Sequence, residues 1–432
     1  MDAVILQRGR QAGAFWPRSR RIPQPNSRLN QRNDRQMRES IMVSTRRSLL
    51  KMGVAGLLIP QGTFAMAEDR QSPAFEAWRR QFEAGVPARM AAAKVSGTAI
   101  GITAKDGSTR YSAAFGFADI QQQRKFTADT PTHLASVSKL FTASALVQLF
   151  ERKGLDLHQD VNKFIDFAVT NPHHPKLSIT PHHLITHTSS ISDDGYGDYS
   201  VEGDPTQSLS SFLRDYLVKG GKTYSPKTSF FKAKPGKKWS YSNVAVALAG
   251  YVVESVSKQD FSSYVEANIF KPLGIQNAHW YLRQFAPNLI SKPYKFEKGA
   301  FVELPQEGYP DVPAGMLRCS VNDLGKMLRA MLGGETGPRA ILSPAAVAAM
   351  LRDQVDPAIV PYQGLGWISE DIGATPFVGH SGSDIGASNM VILTKDQSHA
   401  VAVLMNIDGT KKTDKFRSSM IEDLLAGAKL AG

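Results

Sequence analysis

Strand-like runs lie near both ends of this 432-residue chain, and mostly helical patterns lie between them. Near the start, residues 98–103 and 111–117 flank the turn-forming pair Asp106-Gly107. Near the end, residues 388–393 and 400–405 are apolar and rich in β-branched residues. This arrangement predicts one sheet built from both ends of the chain, with a helical insertion between them. The fold class is therefore mixed α/β, of the α+β kind.

Apolar residues at helical spacing complete this outline. The predicted helices cover 74–94, 137–152, 244–257, 321–332, 344–352 and 416–430. No repeat of 20–50 residues is visible, so a solenoid or propeller is not indicated.

The first 67 residues contain signals typical of export. Residues 45–51, Thr-Arg-Arg-Ser-Leu-Leu-Lys, resemble a twin-arginine signal, and a short apolar run (53–59) and the cleavage pattern Ala65-Met66-Ala67 follow. The run is shorter than the roughly 20 residues that a membrane span needs. We therefore predict a signal peptide over 42–67 and a periplasmic or extracellular protein, 68–432, with no membrane anchor. Residues 1–41 are interpreted as a disordered extension or as sequence upstream of a true start at Met42.

The net charge of +12 does not indicate a nucleic-acid-binding surface, because residues 1–67, with 12 Lys or Arg and 3 Asp or Glu, account for +9 of it. Cys319 is the only cysteine, so no intrachain disulfide is possible. No glycine-rich nucleotide-binding pattern occurs, and no cofactor is predicted.

Three short motifs could carry chemistry, and each has an ordinary explanation when it is taken alone. The first, Ser136-Val137-Ser138-Lys139, is one of four Ser-x-x-Lys patterns, and a serine there is most often a helix cap. The second, Tyr241-Ser242-Asn243, precedes an apolar helix, where tyrosine usually packs and asparagine usually caps. The third, His380-Ser381-Gly382, contains a histidine that alone indicates little. It is their order along one chain that favours a functional interpretation.

In that order the motifs resemble those of the serine β-lactamase and penicillin-binding-protein family, in its class C-like branch. Residues 184–190, 270–274 and 313–316 resemble further segments of that branch, and the resemblance extends over nearly all of 74–410. It implies a β-lactamase/transpeptidase-like fold: an antiparallel sheet flanked by helices, from about 70–135 and 313–432, and a mostly helical region, about 136–312. The active site is expected in the cleft between them, with Ser136 at a helix start and His380 on a sheet edge.

A serine hydroxyl needs a base to act as a nucleophile at neutral pH. Lys139 can serve if its surroundings favour the neutral amine, and Tyr241 can shuttle the same proton; which of them is the primary base stays open. Asn243 can hold Lys139 and meet a substrate carbonyl. The resemblance implies an oxyanion hole at the backbone N–H groups of Ser136 and Ser383, and Gly382 would let the strand approach the acyl group closely.

The third motif bears on the substrate. Class C β-lactamases normally have Lys-Thr-Gly there, whereas His380-Ser381-Gly382 resembles carboxypeptidases, D-amino-acid amidases and esterases. We therefore predict a serine hydrolase that forms an acyl-Ser136 intermediate from small esters, amides or D-alanyl peptides. A true β-lactamase and a non-catalytic cell-wall-binding protein are the alternatives. The oligomeric state is left open.

Two other clusters contain residue types that bind metals, but neither has the spacing of a known metal site. His173, His174, His182, His183 and His187 lie close in sequence, but no His-Glu-x-x-His motif accompanies them. The acidic segment 193–199 does not match an EF-hand loop and is predicted to be a solvated loop near the pocket mouth. Within it, Tyr196 and Tyr199 are candidates to line the substrate entrance.

Overall fold

A seven-stranded antiparallel sheet organises the structure, a computed structural model that describes residues 72–106, 109–197 and 199–431. The predicted signal peptide and residues 1–41 lie outside the described residues. The strands are β1 (Gly97–Ala104), β2 (Thr109–Asp119), β3 (Arg124–Lys125), β4 (Thr132–His133), β5 (Val201–Glu202), β6 (Ala278–His279), β7 (Tyr294–Glu297), β8 (Ala300–Glu303), β9 (Glu307–Gly308), β10 (Arg318–Cys319), β11 (Ile368–Ile372), β12 (Thr375–Asp384), β13 (Ala387–Leu393) and β14 (His399–Met405).

Helices cover both faces of this sheet, and several of them belong to the part of the chain between its first and last strands. They are α1 (Pro73–Ala93), α2 (Lys139–Lys153), α3 (Pro181–Ile185), α4 (Leu209–Leu217), α5 (Asn243–Ser257), α6 (Phe261–Val265), α7 (Lys271–Leu273), α8 (Val321–Met331), α9 (Pro344–Leu351) and α10 (Lys411–Leu430). A π-helical turn, Glu266–Phe270, joins α6 to α7. Among the described residues, no helix is both long and apolar enough to cross a bilayer.

The strand order in the sheet is β11-β12-β13-β14-β1-β2-β3, so β1 and β14 from the two ends of the chain are neighbours. Their register pairs Thr98 with Met405 and Ala104 with His399. The predicted sheet built from both ends of the chain, and with it the predicted fold class, is confirmed.

The central strands are buried on both faces. On one face, Ile100 and Ile102 share an apolar cluster with side chains of α1 and α10. On the other, Ala99 and Ala402 share a cluster with α2, α5 and α8. Complete burial of an isoleucine or phenylalanine side chain stabilises a fold by about 1.5–3 kcal/mol. The two clusters together therefore fix the sheet between its helical layers.

The β11–β12 hairpin is a strand pair that the sequence pattern did not predict. Its residues include Pro376, Gly379 and Gly382, which have low strand propensity. Pairing with β13, from Gly379↔Ile392 to Asp384↔Ala387, outweighs that preference. On its other side β12 pairs with β11 only as far as Gly379. The segment from His380 to Asp384 therefore extends beyond the edge strand, which is how His380 comes to lie at an edge although β12 is the second strand.

The region between 136 and 312 contains short strands as well as helices. The clearest are β7 and β8, a hairpin whose two-residue turn, Lys298-Gly299, has φ values of +49° and +87°. Two central residues with positive φ are typical of the turn that matches strand twist in a tight hairpin. The prediction of a mostly helical region did not include this hairpin.

Candidate active site

Ser136 lies in a short 3₁₀ turn, Ala135–Ser138, that leads directly into α2. Ala135 has a φ of +49°, which is unfavourable for a residue with a side chain. The turn is fixed to the segment after Gly315, because Leu134 N donates to Leu317 O at 2.9 Å and Leu317 N donates to Ser138 Oγ at 3.2 Å. These two bonds hold the strained turn, and with it Ser136, which is half-buried, in a defined position.

Lys139 follows one helical turn later, and its side chain is only 1% exposed. Its Nζ lies 3.0 Å from Ser136 Oγ, 2.7 Å from Asn243 Oδ1 and 2.6 Å from the carbonyl oxygen of Ala314. The last two oxygens can only accept hydrogen bonds. A neutral amine would keep its two N–H bonds on them and direct its lone pair to the Ser136 hydroxyl. This contact set therefore suits proton removal from Ser136.

Asn243 is the first residue of α5, and Ser242 caps that helix by accepting a bond from Ala245 N at 3.0 Å. The sequence from Ser242 to Val253 is apolar apart from its first two residues, so the helix buries itself in the core and presents Asn243 at its half-buried start. This packing brings the second predicted motif to the first.

Tyr241 is held between two histidine rings. It stacks on His187, with ring centroids 4.4 Å apart and planes 26° apart, and its centroid lies 6.2 Å from that of His380. Lys139 Nζ is 5.0 Å from the same tyrosine ring centroid. His187 Nδ1 accepts a hydrogen bond from Ser242 N at 3.2 Å, so a neutral His187 carries its proton on Nε2. Burial, with the charge of Lys139, lowers the pKa of His187 well below its usual range.

His380 is buried, and its Nδ1 donates to the backbone oxygen of Ser381 at 2.6 Å. Burial and the nearby charge of Lys139 lower the pKa of His380 to about 3, so this imidazole is neutral at pH 7. It cannot supply the positive charge that a lysine would carry at this position.

Gly382 lies where β12 approaches the Ser136 turn most closely. A Cβ at this position would be 2.3 Å from Leu134 O, a distance that requires movement of the backbone, and a tight 3.2 Å from Ser136 N. Ser383, the next residue, is exposed. The structure thus brings Ser136, Lys139, Tyr241 and Asn243 together and places the His380–Ser383 strand segment beside them.

The acidic segment 193–199 differs from its prediction as a solvated loop, as far as it is described; Asp198 lies outside the described residues. Asp193 is half-buried, and its carboxylate accepts hydrogen bonds from the first turn of α5. Tyr196 OH donates to Asp311 Oδ1 at 2.5 Å, and burial raises the pKa of that aspartate to about 6. The contact partner of Asp193 lies 50 residues away in sequence, so no local pattern could have revealed it.

Tyr196 and Tyr199, candidates for the substrate entrance, pack against Phe212 of α4, with ring centroids 6.0 and 5.1 Å from it. Both are half-buried and contribute to the helical core. Two of the histidines that cluster in sequence have separate contacts: His173 bonds the backbone oxygen of Pro226 and His174 that of Lys232. In the part of the chain that the structure describes, no three side chains form a group that could hold a metal ion.

Comparison with known proteins gives three findings. A family model described as Beta-lactamase matches residues 82–425. Protein flp of Staphylococcus aureus (strain NCTC 8325 / PS 47) is 22% identical over 307 residues, which are 70% of this chain and 58% of that protein. The chain therefore spans less than two thirds of the length of the curated relatives it matches.

Solved structures match the fold as well, among them two with a TM-score of 0.65. The octameric penicillin-binding protein homologue from Pyrococcus abyssi is 25% identical, with a TM-score of 0.65 over 81% of this chain and 77% of that one. The D-amino acid amidase from Ochrobactrum anthropi SV3 is 18% identical, with a TM-score of 0.65 over 82% of this chain and 99% of that one.

Proposed function

Because this chain belongs to the beta-lactamase family, we propose that it is an exported serine hydrolase acting through a covalent acyl-Ser136 intermediate. The observation that carries the proposal is the contact set of Lys139 Nζ, which joins the hydroxyl of Ser136 to two acceptor oxygens in a buried position. A binding protein would have no need of a hydroxyl held against an amine in this way.

In the acylation step, the neutral amine of Lys139 takes the Ser136 proton, directly or through Tyr241, as Oγ bonds to the substrate carbonyl carbon. The backbone N–H groups of Ser136 and Ser383 stabilise the resulting oxyanion. The bond from carbon to the leaving oxygen or nitrogen then breaks, and the proton passes to the departing alcohol or amine.

In the deacylation step, water attacks the acyl-serine ester and gives its proton to the same amine and phenol pair. The carbon–Oγ bond breaks, the carboxylic acid leaves, and Oγ regains its hydrogen. Acyl donor and water are thus converted to acid and alcohol or amine, with the protein unchanged.

The neutral state of His380 favours substrates without a recognition carboxylate. A lysine here would attract the carboxylate of a β-lactam, whereas an imidazole with a pKa of about 3 has no charge to offer at pH 7. Small esters and amides, which need no such carboxylate, are therefore proposed as substrates in preference to β-lactam antibiotics. D-alanyl peptides are also proposed, on the likeness of the fold to a penicillin-binding protein homologue.

The test combines two measurements on the purified protein and on Ser136→Ala. Intact mass after brief incubation with benzylpenicillin detects an acyl adduct, and p-nitrophenyl butyrate detects ester turnover. A persistent adduct that Ser136→Ala lacks favours a carboxypeptidase-like role, whereas rapid Ser136-dependent ester turnover without an adduct favours an esterase. Fast hydrolysis of a chromogenic cephalosporin would instead identify a β-lactamase. If neither an adduct nor turnover is observed, the proposal is overturned in favour of a binding protein.

A further inference from the structure

The carboxylate of Asp193 accepts three hydrogen bonds at the start of α5. Ser242 Oγ donates to Oδ1 at 2.6 Å, Asn243 N donates to Oδ2 at 2.6 Å, and Val244 N donates to Oδ1 at 3.3 Å. Since Ser242 Oγ itself accepts from the N–H of Ala245, the first three N–H groups of the helix are all satisfied. Asp193 therefore acts on the same helical turn that carries Asn243.

The loop that carries Asp193 is itself held by the core. Tyr216 is fully buried on α4, and its hydroxyl donates to Ser192 O at 2.8 Å while it accepts from Gly195 N at 3.1 Å. Gly195 N also donates to the backbone oxygen of Thr228 at 3.1 Å. Bonds on both sides of Asp193 thus anchor its backbone, so its carboxylate is a fixed point against which α5 is placed.

Asn243 connects this fixed point to the reacting groups. Its backbone N–H bonds Asp193, and its side-chain Oδ1 accepts from Lys139 Nζ at 2.7 Å. Resting on the acyl-enzyme chemistry proposed above, we propose that Asp193 is a positioning residue that fixes Asn243 and, through it, the amine of Lys139 at Ser136.

The charge of Asp193 gives it a second, separable effect. A carboxylate at a helix N-terminus is favoured by the helix dipole. Burial raises the pKa of Asp193, while its bonds to Ser242, Asn243 and Val244 and the charge of Lys139 lower it. The charges of Asp193 and Lys139 therefore attract each other.

The other ionisable groups around Asp193 and Lys139 are the same in every Asp193 variant. His187 and His380 are neutral because burial lowers their pKa values. Burial raises the pKa of Asp311 to about 6, and Tyr196 donates a hydrogen bond to it. Burial raises the pKa of Tyr216 above the pH range of the assay. Shifts in the pH profile are therefore compared between variants that share all of these groups.

The experiment uses Asp193→Asn, Asp193→Glu and the matched control Asp194→Asn, an exposed neighbour of the same charge. Turnover of p-nitrophenyl butyrate is measured from pH 5 to 9. Asp193→Asn is expected to lower kcat by about 10- to 100-fold with little change in KM, as small displacements of reacting groups do. It also moves the acid limb of kcat/KM to lower pH, because the substitution removes a negative charge from the site.

Asp193→Glu keeps the charge and displaces the carboxylate, so kcat falls while the acid limb stays where it is in the wild type. Asp194→Asn leaves both quantities unchanged. A kcat within twofold of wild type for Asp193→Asn, or an equal fall for Asp194→Asn, overturns the proposal. If the acid limb of kcat/KM lies at the same pH in Asp193→Asn and Asp193→Glu, the proposed effect of the charge is wrong.

A readout that needs no turnover separates this proposal from the proposed function. The ¹³Cε chemical shift of Lys139, assigned with Lys139→Arg, reports the surroundings of its amine. It is expected to differ from the wild type in Asp193→Asn and to match the wild type in Asp194→Asn. If the wild type shows no Ser136-dependent hydrolysis, the hydrolase proposal fails, and this comparison of chemical shifts still decides the effect of Asp193. If neither Asp193 variant folds, Ser242→Ala, which removes one of the three bonds, must lower kcat without moving the acid limb; unchanged kcat overturns the proposal.

Discussion

Ala135 has a left-handed backbone conformation immediately before the candidate nucleophile. An alanine in this region costs about 1–2 kcal/mol relative to ordinary backbone. Nothing in the sequence Leu-Ala-Ser-Val signals a positive φ, because glycine or asparagine is the usual residue there. The strain is a property of the folded surroundings, in which bonds to Leu317 hold both sides of the turn.

Lys139 and Tyr241 should behave as one unit for proton transfer. We expect Lys139→Met and Tyr241→Phe each to lower kcat/KM for p-nitrophenyl butyrate by orders of magnitude, because either change interrupts the path of the Ser136 proton. The double variant should be little worse than the poorer single variant. Losses that multiply in the double variant would show two independent roles, and Tm values measured alongside would exclude unfolding as the cause.

Gly382 should be intolerant of a methyl group. In Gly382→Ala the new Cβ would meet Leu134 O at 2.3 Å, so β12 must move away from Ser136. We expect a fall in kcat/KM of about 100-fold, the size typical of a small displacement at a reacting centre. Gly409→Ala is the matched control, because a Cβ there has only an ordinary contact of 3.6 Å with Ser383 Oγ. Equal activity of the two variants would contradict the close approach.

At the scale of elements, the packing of α1 against α10 depends on a glycine. A Cβ at Gly427 would lie 2.4 Å from Cζ2 of Trp78, whereas a Cβ at Gly85 of α1 would have no atom within 4 Å. Both glycines lie inside helices, where alanine is intrinsically favoured by about 1 kcal/mol. Packing against Trp78 should therefore make alanine destabilising at Gly427, whereas alanine at Gly85 should be stabilising.

We expect Gly427→Ala to lower the free energy of unfolding by about 1–3 kcal/mol, as overpacking does, and Gly85→Ala to raise it by up to about 1 kcal/mol. Urea denaturation of the two variants measures both values. Stabilisation by both substitutions would show that Trp78 moves aside without cost.

The elements that could be predicted from sequence are those whose pattern is local. The runs at 98–103, 388–393 and 400–405 and the helices at both ends of the chain are present within a few residues. The strand β12 could not be predicted, because Ser381, Gly382 and Ser383 owe their extended form to pairing with β13. The same limit applies to the candidate site: its motifs are visible in the sequence, whereas Asp193 and Ala135 are defined only by contacts with distant segments.

At the scale of the whole molecule, buried histidines should make the stability depend on pH. Their ordinary pKa is 6.5, and burial lowers it to about 4 in His133, His182 and His183 and to about 3 in His380. As pH falls below about 7, the unfolded chain therefore binds protons that the folded chain does not. Stability must decrease in that direction, by at most about 1.4 kcal/mol per pH unit for each histidine.

We expect the Tm to fall between pH 7.5 and pH 6. Below about pH 6 the fall should continue, because the folded histidines take up protons only near their lowered pKa values. Asp311, with a raised pKa of about 6, offsets only part of this fall, since it takes up one proton more readily in the folded protein than in the unfolded chain. Thermal melts at half-unit intervals measure this, and His182→Gln should show a shallower dependence. A constant Tm over the whole range would contradict the neutral, buried state of these rings.

The pairing of β1 with β14 joins Thr98 to Met405, residues that leave the ribosome far apart in time. Until residue 405 has been synthesised, β1 has no partner on that side, and β12, which carries Gly382, is not joined to β1 through the sheet, because β13 and β14 lie between them. Contacts of such large sequence separation close slowly, because a long loop must be ordered first. Both the sheet and the candidate site are therefore completed only when nearly the whole chain is available, and a product truncated before β14 would expose an unpaired central strand prone to aggregation.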